Sequence, residues 1–524
     1  MTEKCDVLVV GSGINGLVCA ALAARRYRVC VLERAPLPGG CIRTAELTRP
    51  GFLHDTLSGF HPLFVTSPAY TMLRAELEGA GLRYVHGAYP TGVVLPGGEY
   101  ARLATSRLEN VCAFEGLHAG DGARFDAEMR ALESAAPLAF GILTQELWSG
   151  RTARLLMREA WRHGPRSLLQ FFGEALRSSH DWLCRHFQSE VLRCLFAPWV
   201  LHTGLAPDSA FSGFMTRLIA YTLEAVGMPV VAGGSGQLVS AFRRIIESRG
   251  GRIVTGAEVA QILLSGGRAA GVRLANGEEY RAKRAVVCSV TPTQLYLRLL
   301  GADLVPDRIR EEARAFRYGR SNMQIHLALS APPRWRAAAM NEVMMVHLTA
   351  GDAQIRQAVH EAESGFLPAH PTIVVAQPTI ADPSRAPAGG AILWIQLQEL
   401  PAAVRGDAAG SIAVPADGVW SEALKEAYAD RVIARLREQI ENLDSVLLAR
   451  KVLSPRDLEE LNINLVGGDP YAGSCALDQS LFWRPIASSV RHETHIPGLY
   501  HIGASTHPGP GLSGTSGYLV AEAL

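Results

Sequence analysis

Residues 5 to 34 read CDVLVVGSGINGLVCAALAARRYRVCVLER. An uncharged apolar run, Val7 to Val10, leads into a turn with Gly11, Gly13 and Gly16, an alanine-rich stretch, and a second strand pattern from Arg28 to Leu32. This order predicts strand, turn, helix and strand within about thirty residues, the βαβ unit of a parallel sheet. Gly11 suits the tight turn, Gly13 a close approach of backbone to a pyrophosphate, and Gly16 the packing of helix on strand. Ile14 and Asn15 open the helix, whose free N–H groups and dipole favour an anion. Glu33 closes the second strand, with Arg34 beside it; the acid suits ribose hydroxyls and argues against a 2′-phosphate. A lone GxGxxG is weak evidence, whereas glycines, strand, helix and acid in register are specific.

The next residues, PLPGGCIRT, place Gly39, Gly40 and Arg43 just past the acid. This continuation resembles the FAD-binding members of the glutathione-reductase-like fold. The resemblance implies FAD rather than NAD, with Gly39 and Gly40 admitting the cofactor and Arg43 facing its pyrophosphate or flavin. Near the other end, Gly498 to Gly503 reads as a strand and Leu512 to Leu524 as a helix, with ASTHPGPGLSG between them. In flavoproteins of that type the last strand rejoins the dinucleotide sheet, and the helix after it points its N-terminus at the flavin ring, favouring the reduced anion. Gly503 and Ala504 would then lie by the ribityl chain, and Gly511, Leu512 and Ser513 by the ring. Val230 to Val290 supplies a third piece: helix, strands, an Asn276-Gly277 hairpin signal and the apolar strand Ala285 to Ser289, with the backbone near Val259 flanking the adenine.

Taken with GGSGQL at 233 to 238, GGDPYAGSCALDQSLFWRP at 467 to 485 and LYHIGASTHPGPGLSG at 499 to 514, these motifs resemble the phytoene desaturase superfamily. Its carotenoid desaturases, isomerases and ketolases, and a branch named for a pyridine nucleotide-disulfide oxidoreductase domain, share the pattern. The resemblance implies an α/β, amine-oxidase-like or phytoene-desaturase-like two-domain flavoprotein: a glutathione-reductase-like Rossmann FAD domain and a substrate domain of mixed sheet plus helices. We expect the FAD domain at 1–65, 226–294 and 481–524, and the substrate domain at 66–225 and 295–480. Where relatives often carry three glycines, this chain has Gly509-Pro510-Gly511, so Pro510 removes one N–H beside the ring.

Bulk properties exclude other classes. A chain of 524 residues with 48% hydrophobic content supports a large core, and a net charge of +1 gives no reason to expect a nucleic-acid partner. Nine cysteines show no CxxC and no metal-ligand spacing, so we expect reduced thiols and no metal. The N-terminus lacks a signal-peptide pattern, which points to a cytoplasmic protein. Residues 146 to 183 alternate Arg151, Arg154, Arg158, Arg162 and Arg166 with Trp148, Trp161 and other apolar side chains. This pattern fits either an interfacial helix at the inner face of a membrane or a helix packed on its own domain.

The chemistry implied is hydride removal from a lipophilic polyene, isoprenoid or other natural product, in desaturation or oxidation. A second nucleotide unit is absent, which leaves oxygen or a quinone as electron acceptor. Redox-neutral polyene isomerisation and an escort-like, non-catalytic lipophile binder are the alternatives. His507 beside the C-terminal glycine turn is the first candidate for proton handling, followed by His54, with Asp55 and His61, in GFLHDTLSGFHP.

Overall fold

The computed structural model describes residues 3–524, and their two sheets give the chain the two-domain α/β architecture expected. In the first sheet the strand Glu3–Val10 lies between Val29–Leu32 and Glu279–Ser289, parallel to both. Val29–Leu32 pairs in turn with Arg252–Val254, and Val286–Ser289 pairs with Leu499–Ile502, again in parallel. Strands from the beginning, middle and end of the chain thus share one sheet. Glu279–Ser289 serves two roles: its start closes an antiparallel meander with Arg268–Leu274 and Val259–Ser265, and its end carries the parallel pairing.

The helix Ile14–Ala23 is apolar all round because it is covered all round. It packs on the sheet and touches the helices Gly236–Ser248 and Thr515–Ala523. Two glycines permit these close approaches. A Cβ at Gly16 would lie 2.1 Å from the Gly11 carbonyl oxygen, and one at Gly517 would lie 1.9 Å from that of Asn15. The C-terminal helix starts at Thr515 rather than Leu512, because Gly511, Leu512 and Gly514 all take positive φ and cannot belong to its first turn.

The second sheet runs in the order 447–453, 321–329, 391–400, 373–376, 345–348, 91–94 and 100–103. Its last two strands come from the 66–225 segment. One face packs on the helix Glu422–Gln439. The other meets the helices around 182–223. Two pieces expected in the substrate domain pack on the first sheet instead. Leu73 and Leu77 of the helix Pro68–Gly79 enter one of its cores, and Ile309 and Ala313 of the helix Asp307–Arg314 enter the other.

The sheets are joined by a buried cation. Arg385, fully buried, donates to Asp55 at 2.8 Å, Asp382 at 2.9 Å and the Val231 carbonyl at 3.1 Å. The carboxylates also accept from backbone: Asp55 from Ser235 and Asp382 from Gly233. Arg385→Leu strands two buried carboxylates and is expected to cost about 3–5 kcal/mol, read as a lower urea midpoint.

Glu399 is fully buried in the second sheet and accepts from the Thr372 hydroxyl at 2.7 Å. Burial raises its pKa from 4.5 to about 7. Folding therefore takes up a proton between these values, and stability falls as pH rises through that window. Glu399→Gln removes this dependence: it should be neutral near pH 4 and stabilising by about 3 kcal/mol at pH 8, measured by urea melts at both.

Candidate functional site

A cavity of about 750 Å³ runs from the first glycine turn to the second sheet. At one end its wall holds Gly11, Gly13, Ile14, Asn15, Glu33, Arg34, Gly39, Gly40, Arg43 and Val259; farther in are Gly503, Ala504, Gly511, Leu512 and Ser513. Gly16 is the sequence-expected contact that stays out of the wall, since it packs helix on strand. A Cβ added at Gly13, which lines the cavity, would stand in open space, with no atom beyond its chain neighbours within 4 Å.

Local hydrogen bonds hold this end in place. Glu33 accepts from the Ser12 N–H at 3.0 Å and hydroxyl at 2.6 Å, and from the Ala35 N–H at 2.9 Å. The Ser12 oxygen in turn accepts from the Gly39 N–H at 2.9 Å. Ser12 fills both acceptor sites of one Glu33 oxygen, while the other, Oε1, holds only the Ala35 N–H and keeps lone-pair capacity for a hydroxyl. Arg43 Nε is buried without a partner among the described residues, an unmet demand for an anion or other acceptor. The residues present therefore fit a dinucleotide: open space at Gly13, a helix start for phosphate, an acid for ribose and an unpaired guanidinium N–H.

The middle is braced by the arginine near the end of the motif at 467 to 485. Arg484, 1% exposed, donates to the carbonyls of Ala504 at 2.7 Å, Tyr471 at 3.3 Å and Ser474 at 3.2 Å. It binds the 471–484 segment to the loop of the C-terminal glycines. Leu461 to Leu465 adds a further stretch of wall that the sequence did not mark.

The far end is apolar and aromatic, with Phe60, Leu63, Trp199, Ile219, Leu223, Met345 and Trp394, interrupted by His202, Gln324, Gln396 and Gln398. The charged lining residues Glu33, Arg34, Arg43, Glu258 and Arg298 stand apart from this group. His202 meets His347 at 3.1 Å between Nε2 atoms and lies against Trp199 at 4.4 Å between ring centres. Burial holds both imidazoles well below their usual pKa.

The histidines expected from sequence are placed elsewhere. His507 is buried, pushed down to about 4 by desolvation, and donates from Nε2 to the Ile142 carbonyl at 3.1 Å. Its own carbonyl accepts from His492, which pairs with Glu146 at 2.6 Å. His54 pairs with the Thr48 hydroxyl at 2.8 Å, and His61 with the Tyr84 hydroxyl at 3.0 Å. Neither His507, His54 nor His61 lines the cavity. Asp55 is taken up by Arg385. His202 escaped sequence reading because APWVLHT carries no motif; its only mark is the three-residue spacing from Trp199, which aligns the two rings in a 3₁₀ segment.

Known proteins are similar to this chain in sequence and in fold. The profile of the family described as "Flavin containing amine oxidoreductase" matches residues 14–512. The chain is 28% identical to mouse pyridine nucleotide-disulfide oxidoreductase domain-containing protein 2, covering 99% of this chain and 93% of the relative. It is 24% identical to one of the subunits of limonene dehydrogenase from Castellaniella defragrans, covering 100% of this chain and 94% of the relative. Its fold is similar to that of putrescine oxidase solved with putrescine, with a TM-score of 0.61 at 16% identity over 100% of this chain and 99% of the other. His507→Leu leaves the Ile142 carbonyl without its donor and is expected to cost about 1–3 kcal/mol in a urea melt, with ligand retention in the cavity unchanged.

Proposed function

The chain belongs to the flavin-containing amine oxidoreductase family, and from that premise we propose that it is an FAD-dependent oxidoreductase acting on an elongated, mainly lipophilic substrate. The observation that carries this reading is the continuity of one cavity from the dinucleotide turn to an aromatic wall. FAD would be held by Gly11, Gly13 and the start of the helix Ile14–Ala23 at its pyrophosphate, with Glu33 at a ribose and Arg43 supplying a free N–H. Val259 would flank the adenine, Gly503 and Ala504 the ribityl chain, and Gly511 to Ser513 the ring. The chemistry that a bound FAD would supply there is hydride acceptance from a C–H bond, with oxygen or a quinone as the final electron acceptor.

The chain's own residues then have three tasks. Trp199, Trp394 and Phe60 exclude water and orient an apolar skeleton. Arg484 holds the loop of Ala504 against the segment of Tyr471 and Ser474. His202, kept neutral by burial, is the imidazole that the cavity offers to a departing proton, a role we move to it from His507 and His54. An isoprenoid or other natural-product skeleton is supported by the apolar wall and by a relative named for limonene. Helices Gly150–His163 and Pro165–Ala175 present Met157, Trp161 and Leu169 to solvent alongside exposed arginines, Trp161 being 88% exposed. This supports contact with an anionic lipid surface; no described helix is long and apolar enough to cross a membrane.

The test is the visible spectrum of purified protein, then anaerobic addition of lipophilic substrates. An oxidised-flavin band that bleaches supports the reading, and no band after reconstitution with FAD overturns it. Gly13→Ala should fold with unchanged melting temperature as apoprotein, since its Cβ stands in open space, yet retain flavin more weakly than the wild type.

A further inference from the structure

The far wall narrows the substrate class, an inference that rests on the oxidoreductase reading of the same cavity. Strand Ala391–Leu400 is buried from end to end. Leu393, Ile395 and Leu397 enter the core beneath the sheet, while Trp394, Gln396 and Gln398 line the cavity. Pairing sets Gln324 opposite Gln396, Gln396 opposite Val374, and Val374 opposite His347. One row across the cavity face therefore reads Gln, Gln, Val, His. A pocket for a plain hydrocarbon gains nothing from amides, which cost free energy in an apolar setting unless they hydrogen-bond.

The hydrogen-bond network decides which way Gln398 points. The Tyr471 hydroxyl donates its one proton to the Leu201 carbonyl at 2.6 Å, so its oxygen can only accept from Gln398, whose Nε2 lies at 3.3 Å. Gln398 Oε1 is thereby turned away, in a residue 3% exposed, with no donor in reach among the described residues. Gln396, two residues along on the same face, makes no side-chain hydrogen bond within the described protein and offers both an N–H₂ and an oxygen. Beside them stands His202, its Nε2 engaged with His347. No carboxylate or cation among the described residues lines this end. The wall thus presents an unmatched acceptor and a free amide without a counter-charge.

We propose that the substrate carries a hydroxyl group on an otherwise apolar skeleton, donating to Gln398 Oε1 and accepting from the Gln396 amide. A hydrocarbon would leave the Gln398 acceptor buried and unpaired. A ketone has no proton to give it. An ammonium would find no carboxylate, and a carboxylate no cation.

The holoenzyme is titrated with geraniol and with the hydrocarbon myrcene, following quenching of tryptophan fluorescence, since Trp199 and Trp394 line the cavity. Geraniol should bind at least about tenfold more tightly than myrcene. Gln398→Leu should abolish that preference by weakening geraniol without weakening myrcene. If this variant does not fold, Gln396→Met, which removes an amide with no partner in the protein, carries the same comparison. Equal affinities in the wild type, or a preference that survives both substitutions, overturn the proposal. Flavin absorbance of the same preparation separates the two failures: flavin present without an alcohol preference sinks only the hydroxyl assignment, whereas absent flavin sinks the oxidoreductase reading and the assignment with it.

Discussion

A single guanidinium, that of Arg385, sets the relation between the two sheets. It is fully buried between Asp55, which follows the Gly39–Arg43 turn, and Asp382, in the loop entering strand Ala391–Leu400. One cation between two carboxylates would leave excess negative charge in a low-dielectric interior. The N–H groups of Gly233 and Ser235 and the Thr44 hydroxyl offset it. Because every member of this cluster is hydrogen-bonded, the cluster has one favourable geometry. It ties the segment after the dinucleotide turn to the loop that enters the strand bearing Gln396 and Gln398.

The cavity then divides by chemistry along its length. At the glycine turn, backbone N–H groups, Glu33 and Arg43 provide for charge and ribose. At the second sheet, indole and aliphatic surface provides for a skeleton that avoids water. The polar groups of that wall are uncharged, which fits their burial: an unpaired ion there would cost several kcal/mol, while an amide or neutral imidazole waits at a lower cost for a partner. Arg484 plays a matching part in the middle, where four carbonyl oxygens share one guanidinium and hold the C-terminal glycine loop against the 471–484 segment.

What was legible in the residues follows from range. The βαβ unit could be read because its signals are local: an apolar run of strand length, glycines at 11, 13 and 16, and an acid at a strand end. The reach of the C-terminal helix was misjudged by three residues, because the positive φ at Leu512 is imposed by the loop and not by leucine. Strands Thr91–Val94 and Tyr100–Leu103 are only four residues each, too short for an apolar pattern to mark them. The histidines at 54, 61 and 507 drew attention by standing next to glycine motifs, yet each is turned into a local hydrogen bond away from the cavity.

Sequence alone determined the parallel βαβ opening and a glycine turn suited to a dinucleotide, since each depends on neighbours within a few residues, while the two-part α/β build was legible only through the resemblance of motifs to a known family. Tertiary structure decided the rest. Which side chains face the cavity depends on strand register between distant segments, as with Gln324, His347 and Gln396, and on a buried ion cluster that joins residues 55 and 385. Such pairings leave no mark in the local pattern, because their free energy arises only when distant segments exclude water together.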